Sequence, residues 1–173
     1  MQNEEKKWII KIIGLTFIIT LIFSFISETT MPKVNIFISI FILIVFILIG
    51  IIFDMIGVAV TTCDIKPFHS MNAKKIRYAK TAIKLIKNAP KVASICNDMI
   101  GDICGIISGS AGIIISSSAA NKLNINPFIT TLIITSLTAS LTIGGKAIGK
   151  EKAIKNSTKI IKFFSKTISH FYK

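Results

Sequence analysis

Two apolar runs, about Trp8–Ile26 and Ile36–Val60, dominate this chain, and each is long enough to cross a bilayer. Two further runs, about Ile95–Ala120 and Phe128–Ile148, are less uniform: the third is broken by glycine, serine and aspartate, the fourth is rich in threonine. With no water to satisfy the backbone, a lipid-embedded segment must be a helix or part of a closed barrel. Runs of this length and continuity predict helices. The expected fold is all-α: an integral membrane protein with four transmembrane helices, in one membrane domain spanning 1–173.

The net charge of +13 is unevenly placed. Lysines and Arg77 crowd residues 61–94, and lysines crowd the stretch from Lys146 to Lys173. The loop after the first span carries only Lys33, and the loop after the third only Lys122. The positive-inside rule then puts both termini and the 61–94 segment in the cytoplasm, and the 28–35 and 121–127 loops outside. The expected location is the plasma (inner) membrane. The expected partners are the lipid bilayer and its anionic headgroups, not nucleic acid. The N-terminal run is too long for a signal peptide and lacks an A-x-A-like site, so a retained span is expected.

Between spans two and three, Ile76, Ala79, Ile83 and Ile86 recur at helical spacing among lysines. This predicts a basic amphipathic juxtamembrane helix. A second basic amphipathic helix is expected over 155–173, with Ile161, Phe164 and Ile168 in phase. The segment TTCDIKPFHS reads as irregular, broken by Pro67. Cys63, Cys96 and Cys104 fit neither a disulfide framework nor zinc spacing. No phosphate-binding loop or nucleophile–base arrangement is present, so catalysis is not expected.

Three carboxylates stand inside these apolar runs: Asp54, Asp98 and Asp102. At the centre of a membrane helix a carboxylate costs roughly 2.5–3.5 kcal/mol on insertion scales, so it marks an ion path, a proton relay or a buried pair. Asp98 and Asp102 share a helix face and are expected to point into the bundle, shielded from lipid. Gly101, Gly105 and Gly109 form a small-residue seam beside them. Thr131, Thr135, Thr138 and Thr142 form a stripe that Lys146 continues. Those hydroxyls either bond their own backbone carbonyls or line a polar path. Lys146 either snorkels to the interface or reaches inward to an aspartate.

The stretch AKKIRYAKTAIKLIKNAPKVASICNDMIGDI resembles part of the transmembrane domain of the cyclin M / CorB–CorC magnesium and cobalt transporter family. It matches the family's basic helix (here 72–88), an Asn-Pro-like turn, Ser-x-Ile, and a Gly-Asn-Asn/Asp motif in which Asn97 and Asp98 fall on the second and third positions. AVTTCD resembles the family's Ala-Leu-Thr-Ser-Leu-Asn, and Gly145–Lys150 falls where the family has Gly-Glu-Ile-x-Pro-Lys. The likeness covers about 36–154 and implies three family-like spans, with 1–35 an added span and outer loop and 155–173 a cytoplasmic tail helix. It implies Mg2+ as a bound or transported ion held by Asp54, Asn97, Asp98 and Asp102, and a homodimer. The departures are specific. Asp54 replaces the first serine of Ser-Gly-Ser-Glu, Lys146 replaces a ligand glutamate, Gly149 replaces a proline, and the family's paired nucleotide-binding modules have no counterpart. Two readings remain: a divalent-cation transporter domain, or a non-transporting scaffold or accessory subunit whose site has degenerated.

Overall fold

The computed structural model describes residues 2–30 and 34–171. The described residues contain helices and no strand. Helix α1 is Gln2–Thr30, α2 Ile36–Thr62, α3 Lys66–Ala73, α4 Ala79–Lys87 and α5 Ala89–Ala93. A π-helical stretch, π1, Ser94–Gly101, leads into α6, Asp102–Leu123. Then come α7, Pro127–Lys155, and α8, Ser157–Phe171. Four helical segments are long and apolar enough to cross a membrane: Lys6–Thr30, Ile36–Thr62, Ala89–Leu123 and Pro127–Lys155. They bear exposed Ile10, Phe17, Phe37, Phe41, Ile133 and Leu137, a surface suited to an apolar solvent rather than water.

The helix ends follow local chemistry. Asn126 caps α7, its Oδ1 accepting from the Phe128 amide at 3.0 Å, with Pro127 at the first helical position, where its missing N–H costs nothing. Asn35 caps α2 in the same way. At the end of α6, Asn124 adopts a left-handed conformation (φ 53°) and the Ile125 amide reaches back to the Ala120 carbonyl. The same C-terminal motif closes α3: Lys75 has φ 56°, its amide bonds the Asn72 carbonyl, and the Ile76 amide bonds the Met71 carbonyl.

Two differences from the sequence reading follow. The basic stretch over 72–88 is not one helix, because the turn at Lys75 separates α3 from α4. Pro67 does not leave an irregular loop; it sits in the first turn of α3, where proline is tolerated. A lysine held in the left-handed region costs about 1–2 kcal/mol that glycine avoids. Lys75→Gly is therefore expected to raise the melting temperature of the detergent-solubilised protein, by about 1 kcal/mol of added stability.

The chain divides into two compact units, one of residues 1–49 and 102–143, the other of 50–101 and 144–173. In the first unit α1 packs on α6. The rings of Phe23 and Phe46 meet edge-on with centroids 6.3 Å apart. The Ser116 and Thr131 hydroxyls are bonded at 2.9 Å, and a Cβ at Gly112 would come within 3.2 Å of the Thr138 hydroxyl. The hydroxyls of Thr135, Thr138 and Thr142 bond the carbonyls of Thr131, Ile134 and Thr138, each one turn back, so the stripe is largely satisfied within its own helix.

The second unit has a core of Ala59, Val60, Cys63, Phe68, Ala82, Ala153 and Ile161, with Phe68 and Ile161 fully buried. Here α3, α4 and α8 gather around the end of α2 and the end of α7. Cys63, just beyond the second span, has its thiol pushed above the ordinary range by burial, opposed by contacts with Thr158 and Ser157.

A candidate cation site in the second unit

Close approach of α7 to α2 builds the site. A Cβ at Gly145 would clash with the Ile51 side chain, and one at Gly149 would lie 3.0 Å from Met55 Cγ and 3.1 Å from Ile51 Cγ2. Gly145 and Gly149 are four apart, as are Ile51 and Met55, so the side chains of one helix face seat on the bare glycines of the other. The residues that follow the two glycines, Lys146 and Lys150, are thereby carried to the polar positions of this unit.

Asp54 is 3% exposed. Its Oδ2 lies 3.6 Å from Lys150 Nζ, too far for a hydrogen bond, and the oxygen has no hydrogen-bond donor. The Lys150 side chain is 50% exposed, so its ammonium stays hydrated and the pairing is weak. One turn beyond Asp54, Gly57 receives the amide of Asn97, whose Oδ1 would overlap any Cβ at position 57. That oxygen is also buried without a hydrogen-bond donor. At the end of π1 the Gly101 carbonyl accepts a hydrogen bond from Lys146 Nζ at 3.3 Å. A Cβ at Gly101 would sit 3.5 Å from that ammonium and 4.0 Å from the Gly50 carbonyl oxygen.

The π-helical register explains part of this. A π-turn carries an extra residue relative to an α-turn, and it loosens the backbone ladder near functional sites. It turns Asn97 inward against Gly57 and leaves a carbonyl at Gly101 for a side chain to use.

The expected site residues differ in burial. Asp54 is buried, Asn97 packs against Gly57, one turn further along α2, and Lys146 reaches the Gly101 carbonyl. Asp98, although adjacent to Asn97, is exposed, and so is Asp102. The expectation that both aspartates are shielded within the chain is therefore corrected. The seam is corrected too: nothing lies within 4 Å of a Cβ at Gly105 or Gly109, whereas Gly57, Gly112, Gly145 and Gly149 make the close approaches. The partner of Asp54, Lys150, was not singled out from sequence; the four-residue repeat of Gly-Lys at 145–146 and 149–150 is the signal that points to it.

Chemically, this part of the unit carries hard oxygens: the Asp54 carboxylate, the Asn97 side-chain amide and the Gly101 carbonyl. That donor set suits Mg2+, which commonly keeps several waters and takes one or two carboxylates. Among the described residues no group of three or more His, Cys, Asp or Glu side chains is placed to hold a metal, so a closed, all-protein cage is not formed. Gly57 is the sharpest steric test. Gly57→Ala is expected to drive Asn97 out of its place at a cost of about 1–3 kcal/mol, read as a lower melting temperature, while Gly105→Ala leaves it unchanged. Compared with known proteins, the chain matches no family model, no curated protein and no solved structure.

Proposed function

We propose that this multi-pass protein binds a divalent cation, magnesium or a similar hard ion, at the Asp54–Asn97 cluster, and handles it as the CorB–CorC transmembrane region does. The observation that carries the reading is the pair of buried oxygens, Asp54 Oδ2 and Asn97 Oδ1, that no donor satisfies. An unsatisfied buried acceptor costs about 1–3 kcal/mol, more when charged. A cation with its remaining waters removes that cost. Lys150, half exposed and loosely paired, is the counter-ion that gives way when the ion enters.

A second reading is favoured by the charges themselves. Lys146 and Lys150 bring two ammonium groups to a cluster with one buried carboxylate. In that reading they replace the ion permanently, and the chain is a scaffold or accessory subunit in the membrane. One measurement separates the two. After EDTA treatment, the solubilised protein is titrated with MgCl2 and its melting temperature followed. At a hundred times Kd a ligand adds about 2.7 kcal/mol, a rise of several degrees. A flat titration selects the scaffold.

The orientation belongs to the same proposal. Both termini and the basic segments α3, α4 and α8 face the cytoplasm of a plasma (inner) membrane, as amphipathic helices against anionic headgroups. Cysteine placed at exposed Lys122 is expected to react with an impermeant reagent outside intact cells, and cysteine at exposed Lys74 or Asn156 is not. The three native cysteines are buried, which keeps the background low. Labelling at position 156 overturns this orientation.

A further inference from the structure

Two cavities of the second unit share a wall. One, about 510 Å³, is lined by Arg77 and Lys166, with Tyr78, Thr167 and Ser169 adding hydroxyls. The other, about 470 Å³, lies between the α2 residues Ile52, Phe53, Met55 and Ile56 and the α8 residues Lys159, Ile160 and Phe164, and is apolar apart from Lys159 and Thr167. Phe163 and Thr167 belong to both linings. A basic chamber thus adjoins a largely apolar one along a single turn of α8.

The order of chemistry identifies an occupant. Arg77 and Lys166 are exposed, and neither lining contains an aspartate or glutamate. Guanidinium and ammonium with no Asp or Glu side chain among the described lining residues select an anion, and the fork of arginine fits phosphate oxygens. The apolar chamber is walled by α2, one of the helices able to cross a membrane, and Ile52 there is 53% exposed. Phe163, at the junction, is 75% exposed. An aromatic so exposed between charge and hydrocarbon is placed as ring side chains are at the headgroup level of a bilayer. An acidic peptide matches the basic chamber but has no reason to run along a membrane-crossing helix. Free phosphate matches it as well but leaves the apolar chamber without a use.

We propose that this bipartite cavity binds one anionic phospholipid. Arg77 and Lys166 hold the phosphodiester, and an acyl chain lies along Phe163 and Phe164 against α2. The site rests on the multi-pass reading but not on cation binding, and basic pockets of this kind on the cytoplasmic side are where anionic headgroups lodge.

The test uses the full chain in neutral detergent with EDTA present, so that magnesium plays no part and the cation site stands or falls separately. Binding is measured for phosphatidylglycerol, phosphatidylcholine and inorganic phosphate, each added alone. The wild type is expected to bind phosphatidylglycerol in preference to phosphatidylcholine and to ignore inorganic phosphate at the same concentration. The Arg77→Gln/Lys166→Gln protein is expected to lose roughly 25-fold in phosphatidylglycerol affinity, about fivefold for each charge. Phe163→Ala is expected to weaken phosphatidylglycerol binding as well. Lys74→Gln/Lys162→Gln removes the same charge from exposed positions outside both linings and is expected to cost less than twofold. All four positions are exposed, so melting temperatures without lipid should stay together and any loss of binding is local. Equal losses in the two double variants make the attraction diffuse and overturn the site. Equal binding of phosphatidylcholine, or inorganic phosphate binding as well as the lipid, overturns it too. Saturation by an acidic peptide with no lipid bound has the same result.

Discussion

In EDTA, the Asp54→Leu protein is expected to melt above the wild type and to have lost any response to magnesium. Asp54 is 3% exposed and its Oδ2 receives no hydrogen bond. Its ion-pair partner among the described residues, Lys150, is half in solvent at 3.6 Å, so Coulomb attraction offsets little of the cost of burying the carboxylate. Replacing an imperfect buried ion pair by apolar side chains is commonly neutral or stabilising by about 1–4 kcal/mol. Lys150 is half exposed, so the substitution releases it to water rather than stranding it. Asp54→Asn, which keeps the size, controls for packing. Should Asp54→Leu instead lower the melting temperature by several degrees with magnesium absent, the Asp54–Lys150 pair holds the fold, and the cation reading loses its main support.

Much of this architecture is legible from run lengths, because hydrocarbon leaves the backbone few choices. Four helices of spanning length were expected, and four are present among the described residues. Asp54 and an inward Lys146 were also readable, the first from its apolar surroundings and the second from its place at the end of a helical stripe. The third span was misread for a definite reason. An α-helical wheel assigns Asp98 and Asp102 to the face of Gly101 and Gly105, but π1 changes the angle per residue just before Gly101. The change brings Asn97 against Gly57 and leaves Asp98 exposed. Nothing in SICNDMIG announces a π-turn. The lysine partner was hidden by separation along the chain, since Lys150 meets Asp54 only because Gly145 and Gly149 let α7 lie close to α2. That relation depends on which helices are neighbours, and periodicity within one segment carries no such information.

Lys146→Glu is expected to raise magnesium affinity at least tenfold. The lysine is half-buried, and its Nζ bonds the Gly101 carbonyl, an oxygen otherwise available to an ion. Two unit charges about 4 Å apart interact by roughly 4 kcal/mol at an effective dielectric of 20. Partial exposure reduces that, and a residue of about 1.4 kcal/mol already makes a factor of ten. The substitution acts twice over: it removes a repelling charge and adds a carboxylate. Lys146→Gln separates these contributions, because it removes the charge while keeping a donor for the Gly101 carbonyl, and it should fall between the two. The measurement is the magnesium concentration giving half the maximal rise in melting temperature. If the wild type gives no rise and Lys146→Glu creates one, the lysine is what silences the site, and the scaffold reading describes the natural protein. If the wild type responds and Lys146→Glu responds at lower magnesium, the lysine tunes a working cation site. If the wild type responds and neither substitution moves the midpoint, Lys146 lies outside the ion's field, and the site must be sought nearer to Asp54 and Asn97 than to the Gly101 carbonyl.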